Sequence, residues 1–396
     1  MRVLCSTPPM EGNFAPVVPL AVALVREGHD VLVATAADLI ERVRLVGLAA
    51  AVAGPTAAEA AGRAMSDPEF AAGRQPWRIG AVMFARIMAT EKLPALHALA
   101  DDFAPDLILH PPVDLAAPLL AATRALPSVT YGTGLLLEPE LIATMAGWVA
   151  PLWRAARAEP DDHAGLYRGG YLNPVPTSLQ PTLGPATGRA HPIRPCVPGS
   201  PHDRLPGWAA RLGSRPLIYV SLGTVPIFNQ PETFAPILEA LGGEDVDVVV
   251  TVGHTNDPAA LGPLPPTVHV EQWLSLAAVL PRCDAVVCHG GAGTTLAALA
   301  CGLPLVLIPR GADQFPTAAA CHRAGAAWIL TPEHLTVDAM RAGVRTVLAN
   351  GSYRAAALRL QAEINDMPPA ERIARNLADL ASTAATSPRG THRCAT

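Results

Sequence analysis

A glycine-rich turn between an apolar run and a helix constrains this chain more than any other stretch. Residues 288–295 read Cys-His-Gly-Gly-Ala-Gly-Thr-Thr. The run before them, Asp284-Ala285-Val286-Val287, has the composition of a buried parallel strand, and residues 296–300 predict a helix. Glycines at such a junction let the backbone turn sharply and approach a ligand closely. The sequence therefore predicts a parallel α/β sheet with a ligand site at this turn.

The expected ligand of this turn is an anion. Unpaired N–H groups and the positive end of the helix dipole face the space above a helix N-terminus. Thr294 and Thr295 add hydroxyl donors, and His289 can donate from its ring. A phosphate or a diphosphate is the anion that suits these groups best. A glycine-rich turn can also be no more than a tight connection, so its neighbouring segments decide between the two interpretations.

Two further segments accompany the turn in order. Trp273-Leu274-Ser275-Leu276 lies upstream, and Asp313-Gln314 lies downstream after Pro309-Arg310-Gly311-Ala312. Together, residues 273–314 resemble the nucleotide-sugar signature of the family-1 glycosyltransferases, most closely that of the actinobacterial enzymes that decorate natural products. The resemblance covers nearly the whole chain. It implies the GT-B fold, an α/β architecture of two Rossmann-like, doubly wound parallel-sheet domains that face each other across a cleft.

The resemblance also implies a donor site on the second domain. In that family the Trp stacks on the nucleobase, the His and the glycine-rich turn hold the diphosphate, and the Asp-Gln pair grips the sugar hydroxyls. Taken singly, Trp273 could be core filler and Asp313 a helix cap. The expected donor-binding residues are Gly223, Thr224, Trp273, Leu274, His289, Gly290, Gly291, Gly293, Thr294, Asp313 and Gln314.

Two departures from the plant-type signature bear on the donor nucleotide. Leu274-Ser275-Leu276 replaces the plant Ala-Pro-Gln, which removes one polar contact to the edge of the base. Ala297 stands where plant relatives carry a Glu that is positioned for the ribose diol. Alanine cannot form a hydrogen bond to a 2′-hydroxyl group. The sequence therefore favours a thymidine (dTDP) donor over a uridine (UDP) donor.

The first βαβ unit carries the acceptor side. Residues 2–35 predict a strand, a loop, a helix and a second strand, and ligands bind at the carboxyl ends of such strands. The loop contains Gly12-Asn13-Phe14-Ala15-Pro16. The family usually has Gly-His-x-x-Pro there, and its His is the general base. An amide cannot take up a proton at neutral pH, so Asn13 can orient the acceptor without deprotonating it.

The general base is therefore expected elsewhere in the chain. Asp114 and His110, at the carboxyl end of a strand over residues 106–110, are two candidates, and Glu11 is a third. In relatives an acidic residue in this region supports the His. A lone loop carboxylate is more often a solvated surface group, and His110 could be a satisfied strand-end histidine. An acidic acceptor, such as a phenol or an enolic carbon, would need only a weak base, so aromatic O- or C-glycosylation stays open.

Bulky apolar side chains over residues 77–171 predict a pocket for a large hydrophobic acceptor. Ordinary core packing explains any single one of them equally well. The expected acceptor-binding residues are Asn13, Phe14, Trp77, Phe84, Met145 and Trp148.

Composition shifts divide the chain. Residues 1–195 predict the acceptor domain, and the Pro- and Gly-rich residues 196–213 predict the linker. Residues 214–370 predict the nucleotide-sugar domain. A final helix over residues 371–382 is expected to pack back on the first domain, and residues 383–396 are expected to form a tail.

The charge and hydropathy patterns exclude several classes of protein. The formal net charge is −5 and no basic face is visible, which excludes nucleic acid as a partner. No run approaches the roughly 18 uninterrupted apolar residues of a spanning helix, so no membrane insertion is expected. The N-terminus lacks a secretory signal, and a cytoplasmic location follows as the expectation. Lys92 is the only lysine, which we interpret as a preference for arginine in a GC-rich bacterial genome.

The cysteine pattern indicates neither a disulfide framework nor a metal site. Seven cysteines are scattered and include no C-x-x-C pair. Cys283, Cys288 and His289 fit no familiar zinc spacing, and small buried thiols are the better interpretation. No metal and no cofactor is expected beyond the nucleotide-sugar, which is a co-substrate.

The preferred function is an inverting, metal-independent glycosyltransferase. It would move a (deoxy)sugar from a dTDP- or UDP-sugar to a hydrophobic natural-product aglycone. One alternative is a nucleotide-sugar epimerase on the same architecture. Another is a non-catalytic homologue that binds a nucleotide-sugar or partners an active transferase, and Asn13 is its sole motivation. The acceptor, the linkage and assembly as a homodimer stay open.

Overall fold

The computed structural model describes residues 1–71, 76–180, 187, 190–200, 202–225, 228–254 and 256–385 of the chain. Within these ranges, the side chains of residues 71, 76, 77 and 378–385 are not part of the description. The expected acceptor contact of the Trp77 side chain therefore lies outside the described part of the chain. The end of the expected tail, residues 386–396, lies outside it as well.

The first domain is built on a parallel sheet with the strand order β3-β2-β1-β4-β5-β6-β7. The sheet changes direction between β1 and β4, and in open α/β sheets ligands bind beside such a switch point. The strands are β1 (Arg2–Ser6), β2 (Asp30–Thr35), β3 (Ala49–Val52), β4 (Leu107–His110), β5 (Ser128–Tyr131), β6 (Tyr171–Asn173) and β7 (Ala190–Pro192).

The second domain repeats this plan with the strand order β10-β9-β8-β11-β12-β13. Its switch point lies between β8 and β11, and all of its strand pairs are parallel. Two doubly wound parallel sheets confirm the expected α/β class. The strands are β8 (Leu217–Ser221), β9 (Asp247–Thr251), β10 (Val268–Glu271), β11 (Ala285–Cys288), β12 (Leu305–Leu307) and β13 (Ala327–Ile329).

Helices connect the strands of the first sheet. They are α1 (Glu11–Phe14), α2 (Val18–Arg26), α3 (Ile40–Leu45), α4 (Ala57–Ser66), α5 (Pro68–Ala71), α6 (Pro76–Ala81), α7 (Ala89–Phe103), α8 (Ala116–Arg124) and α9 (Pro139–Ala155). A wider π-helical segment, Val82–Met88, joins α6 to α7. The bulky apolar stretch over residues 77–171 includes the 17-residue helix α9.

The second domain and the C-terminus supply the remaining helices of the described chain. They are α10 (Pro231–Gly242), α11 (Leu276–Val279), α12 (Ala292–Ala300), α13 (Gln314–Arg323), α14 (Val337–Ala349), α15 (Gly351–Asp366) and α16 (Ala370–Ala385). The helix after the glycine-rich turn begins four residues earlier than residue 296, so the turn itself contributes to the first turn of α12.

Part of the Pro- and Gly-rich segment at residues 196–213 packs on the second domain. Trp208 is buried in the core that lies under β8, β11 and α12. Its indole Nε1 donates a hydrogen bond of 2.9 Å to Glu271, and its ring stacks on His269 with a centroid separation of 4.9 Å. The indole thus fastens this segment to β10, the strand that leads to Trp273.

The last helix returns to the first domain. Ala370, Ile373, Ala374 and Leu377 lie in the same buried cluster as Val3 and the residues of α2. Arg194 ties the start of α16 to the end of the first sheet, because its backbone N–H donates to the Pro368 carbonyl over 2.8 Å. Burial of this apolar stripe is what attaches α16 to α2.

We expect the contact between α16 and the first domain to contribute measurably to stability. Leu377 has no exposed surface, so Leu377→Ala should lower the free energy of unfolding by about 3 kcal/mol through lost burial and a cavity. Arg372→Ala, at an exposed position of the same helix, is the matched control and should change it by less than about 0.5 kcal/mol. Equal effects of the two substitutions in urea denaturation would contradict this assignment.

Candidate functional site

The ring of His289 fills the junction between the two central strands of the second sheet. Ser221 pairs with Cys288, so the turns after β8 and β11 leave the sheet side by side. A Cβ atom at position 223 would lie 2.6 Å from His289 Nε2, and one at position 291 would also collide with the ring. Gly223 has a φ of +86°, which side chains rarely adopt. Glycine is required there for space as well as for backbone conformation.

The electrostatic state of His289 follows from this confinement. Its Nδ1 is buried and has no hydrogen-bond partner among the described residues. Burial lowers the pKa of His289 to about 4, and the nearby Ser221 backbone opposes the shift only in part. The ring is therefore neutral near neutral pH. A neutral imidazole can still donate one N–H to an anion at the turn.

The N-terminus of α12 lies directly beside this histidine. Gly291 is the N-cap residue and has no side chain to cap the helix, and the N–H of the next residue, Ala292, faces the Asp313 carboxyl. The free N–H groups of the first turn and the helix dipole favour an anion here. Gly293 is exposed, and a Cβ there would meet no atom within 4 Å. The open side of the turn therefore has room for a ligand.

The two threonines of the turn point in different directions. Thr294 is partly exposed, whereas Thr295 has no exposed surface. The Thr295 hydroxyl lies 3.9 Å from the Cys288 sulfur inside the domain. The expectation that both hydroxyls face the ligand is therefore wrong for Thr295, because successive side chains of a helix point about 100° apart and Thr295 falls on the buried side of α12.

Trp273 follows β10 and lies at the same carboxyl edge of the sheet. Its side chain is 40% exposed, which is unusual for an indole inside a domain. The ring of His254, which follows β9, stacks beside it with a centroid separation of 6.3 Å and an angle of 14°. Leu274 is buried in the core of the domain, so its side chain has no open surface for a donor. Thr224, after β8, is exposed at the same edge.

The Asp313-Gln314 pair stands at the start of α13. Burial raises the pKa of the Asp313 carboxyl, and the backbone N–H groups of Asp313 and Ala292 oppose that shift. The side-chain oxygen of Gln314 accepts hydrogen bonds from the backbone N–H groups of Arg310 (2.8 Å) and Gly311 (3.2 Å). Gln314, which is only 2% exposed, therefore holds its own loop in place.

The first domain reaches this part of the second domain at Gly134. A Cβ atom at position 134 would lie 2.5 Å from the Ala292 Cβ and 3.5 Å from Asp313 Oδ2. The two domains therefore touch at the N-terminus of α12. Beside this contact is an apolar pocket whose walls include Leu135 and Val175 from one domain and Leu296 from the other.

A second pocket opens at the switch point of the first sheet. The space among its walls, counted together with the open solvent at its mouth, is about 260 Å³. Its walls follow β1, β3 and β4 and include α7, and they are mostly apolar. They consist of Pro8, Pro9, Ala53, Gly54, Pro55, Phe84, Met88, Ala89, Lys92, Val113, Asp114 and Leu115. We call it the switch-point pocket.

An ion pair lies in the wall of the switch-point pocket. Lys92 Nζ donates to Asp114 Oδ2 over 2.7 Å and to the Thr7 carbonyl over 2.8 Å. The Ser6 hydroxyl and the Ala117 backbone N–H donate to the same carboxylate. The side chains of Lys92 and Asp114 are 5% and 2% exposed. Burial by itself raises the pKa of Asp114, but Lys92 and Ser6 bring it below its usual value.

The other candidate bases are also engaged. His110 is fully buried, with Nδ1 at 3.1 Å from the Pro111 carbonyl and Nε2 at 3.4 Å from the Thr130 hydroxyl. Burial lowers the pKa of His110. Glu11 forms an ion pair of 3.3 Å with Arg42. Each of these side chains therefore already has a structural partner.

The expected acceptor residues are split between open and closed surroundings. Asn13 is partly exposed, and its backbone carbonyl accepts a hydrogen bond of 3.0 Å from the Tyr131 hydroxyl. Phe84 lines the switch-point pocket. Trp148 is half-buried beneath the Arg86 guanidinium. Phe14 and Met145 lie inside hydrophobic cores and face no open surface, because the amphipathic faces of α1 and α9 turn them inward.

Neither a metal-ligand cluster nor a spanning helix is found in the part of the chain that the structure describes. No three His, Cys, Asp or Glu side chains converge there. The sequence Asp245-Val246-Asp247 lies at the amino end of β9, opposite the ligand edge, and Asp247 pairs with Arg215 over 2.8 Å. No helix in the described ranges has the length and apolarity needed to cross a membrane.

Comparison with known proteins places the chain in a family. The model of the erythromycin biosynthesis protein CIII-like N-terminal domain matches residues 22–147, and the C-terminal model matches residues 235–380. The L-demethylnoviosyl transferase of Streptomyces niveus is 32% identical, with 96% of this chain and 98% of the relative covered.

Two solved structures extend the likeness to the fold. A Streptomyces sp. SF2575 glycosyltransferase in complex with thymidine diphosphate is 26% identical, with a TM-score of 0.77 and coverage of 96% and 99% of the two chains. A spinosyn rhamnosyltransferase in complex with spinosyn aglycone gives 26% identity, a TM-score of 0.77 and coverage of 96% and 100%. This chain therefore belongs to the actinobacterial family-1 glycosyltransferases of antibiotic and natural-product biosynthesis, and it has their GT-B fold.

Two features of the site are not visible in the sequence pattern. Lys92 lies 85 residues along the chain from Thr7, whose carbonyl in the β1 loop it binds, so only folding brings them together. The presence of a single lysine in the chain was a signal of its importance, but we interpreted it as a consequence of genome composition. Gly134 belongs to no recognisable sequence motif. Its role becomes visible only in the structure, where it lies against Ala292 of the second domain.

The pKa of His289 predicts a specific dependence of stability on pH. Its folded-state pKa is about 4, and an unfolded histidine titrates near about 6.5. Between these values the unfolded chain binds more protons, so His289 makes stability fall as pH drops through this window, by up to about 3 kcal/mol. We expect His289→Asn to flatten the corresponding slope in urea denaturation. His202→Asn, an exposed control, should keep the slope, and an unchanged slope in the His289 variant would refute the prediction.

Proposed function

We propose that this glycosyltransferase moves a deoxysugar from a dTDP-sugar to a hydrophobic aglycone with inversion at the anomeric carbon. The observation that carries the proposal is the uncapped N-terminus of α12 beside the confined ring of His289. This anion site and the exposed Trp273 lie at the carboxyl edge of one sheet. A diphosphate at α12 and a base at Trp273 account for both features with one ligand.

Thymidine is the proposed nucleoside. Ala297 has no exposed surface and carries no hydrogen-bonding group, so its side chain offers nothing to a ribose 2′-hydroxyl. A related structure of this fold was solved with thymidine diphosphate. Both observations support a dTDP-sugar over a UDP-sugar as donor.

The proposed chemistry is direct displacement. The acceptor oxygen forms a bond to the anomeric carbon while the bond from that carbon to the diphosphate oxygen breaks. The electron pair of the broken bond leaves with dTDP, and the growing charge is stabilised by the N–H groups of α12 and by His289. Asp313 and the Gln314 amide nitrogen are proposed to hold the sugar at the interdomain contact. The reaction is proposed to need no metal ion.

The acceptor is proposed to be an acidic hydroxyl compound, such as a phenol or an enol. Asp114, His110 and Glu11 are each held by a structural partner, and Asn13 is not basic. A hydroxyl that ionises readily removes the need for a strong base. The largely apolar switch-point pocket supports a hydrophobic aglycone, and a related structure contains spinosyn aglycone.

We expect Trp273 to contribute to binding of the nucleoside and not of the diphosphate. Trp273→Ala should weaken dTDP binding about tenfold or more through lost stacking. Pyrophosphate should bind the variant as it binds the native protein, because the α12 site is unchanged. Calorimetry with dTDP, UDP and pyrophosphate tests this, with dTDP expected to bind the native protein more tightly than UDP. Equal loss for dTDP and pyrophosphate would argue against nucleobase stacking.

A substitution at Gly293 is expected to affect ligand binding and stability in opposite directions. Gly293→Ala adds a methyl group that meets no protein atom within 4 Å, and it should stabilise the helix by about 0.5–1 kcal/mol. The same methyl should obstruct the diphosphate and weaken dTDP binding about tenfold or more.

Gly351→Ala is the matched control. It lies at the start of α15 with no atom within 4 Å of the added methyl group. This variant should gain similar stability and keep native affinity for dTDP. Unaltered dTDP affinity in the Gly293 variant, measured by calorimetry, would place the diphosphate elsewhere.

A further inference from the structure

The Lys92 ammonium has a hydrogen-bonding capacity that its protein partners do not use fully. An ammonium group carries three N–H donors. Its acceptors among the described residues are Asp114 Oδ2 and the Thr7 carbonyl oxygen, so one donor is left. The side chain is only 5% exposed, and a buried donor without an acceptor is costly.

The ion pair lies in the wall of the switch-point pocket. Lys92, Asp114 and Phe84 all line it, and most of its other walls are proline, alanine and aliphatic side chains. An apolar pocket with one charged donor suits a planar apolar molecule that carries one oxygen acceptor. Ser6 and Ala117 also donate to the carboxylate, so Asp114 is held in place with only one of the three ammonium donors directed to it.

We infer that Lys92 is an acceptor-binding residue whose third N–H donor binds the reacting oxygen of a phenolic or enolic acceptor and stabilises its anion. This inference rests on the proposed function for the identity of the reaction, and it adds the residue that activates the acceptor. A nearby cation lowers the pKa of a bound hydroxyl group by stabilising its charged form. Ionisation of the acceptor next to Lys92 then replaces removal of its proton by a general base.

The step balances without a further reactant. The acceptor hydroxyl releases its proton to solvent as it binds beside Lys92. A lone pair of the resulting oxyanion forms the bond to the anomeric carbon, the bond from that carbon to the diphosphate breaks, and its electron pair leaves with dTDP. Lys92 stays protonated throughout, and Asp114 holds the ammonium in position.

The uniqueness of Lys92 allows a direct test of binding. Full-length protein grown with lysine that is ¹³C-labelled at Cε has one labelled side chain, so its NMR spectrum reports Lys92 alone. The probes are 2-naphthol and naphthalene, which share an apolar frame and differ in the hydroxyl group. We expect 2-naphthol to shift the Lys92 resonance and naphthalene to leave it unmoved. Equal shifts, or no shift up to the solubility limit of 2-naphthol, would overturn the inference.

A pair of double variants separates binding from packing. Lys92→Met alone leaves Asp114 as an unpaired buried charge and is expected to fold poorly, so the test variant is Lys92→Met with Asp114→Asn. We expect it to fold, to bind dTDP as the native protein does, and to bind 2-naphthol about tenfold or more weakly, as for loss of a charge-assisted hydrogen bond. The control, Arg215→Met with Asp247→Asn, removes an ion pair remote from the pocket and should keep native affinity.

The outcomes distinguish the inference from the function on which it rests. Affinity of the double variant for 2-naphthol within about twofold of the native value would show that the pair only supports the fold. If Lys92 binds 2-naphthol but the native protein releases no dTDP from a dTDP-sugar with any phenolic acceptor, the proposed function fails while the binding site stands. If transfer proceeds but Lys92 does not sense the acceptor, only the role of Lys92 fails.

Discussion

The uncapped N-terminus of α12 is the interaction on which the rest of the structure depends. Its N-cap residue, Gly291, has no side chain, and the Ala292 N–H faces the Asp313 carboxyl, so the other N–H groups of the first turn stay available to an anion. Glycines at neighbouring positions keep this end accessible. Gly223 and Gly291 leave room for the His289 ring, and Gly134 allows the first domain to approach closely. An anion that enters the cleft therefore meets groups already oriented for it, which is how preorganised sites stabilise charge.

The first domain contains a buried ion pair at its switch point. Its switch point places a lysine and a carboxylate in a mostly apolar wall, where an unpaired charge of either sign would be costly. Ser6, Thr7 and Ala117 complete the pair with hydrogen bonds. The result joins β1, α7 and the loop after β4 around the pocket.

Individual positions show which elements and side-chain roles could be predicted from the sequence. The apolar run at residues 284–287 overlaps the strand Ala285–Cys288, and the final helix predicted over residues 371–382 lies within α16, because apolar runs and helical periodicity are local properties. The edge strand Ala49–Val52 was missed, since alanine has little preference for strands and pairing with β2 decides its conformation. Side-chain roles were less accessible: Phe14 and Met145 have the right chemistry for an acceptor wall, yet both face a core.

The sequence by itself determined the two-domain α/β class and the glycine-rich turn between β11 and α12. Both follow from short sequence segments whose residue types and spacing restrict the backbone conformation. Only the tertiary structure decided which side chains stay free. In the sequence, Asp114, His110 and Glu11 were all candidates for the general base. In the folded protein each of them has a structural partner from a distant or neighbouring segment. Hydrogen bonds and ion pairs of buried groups depend on distances in space, and one-dimensional spacing does not contain those distances.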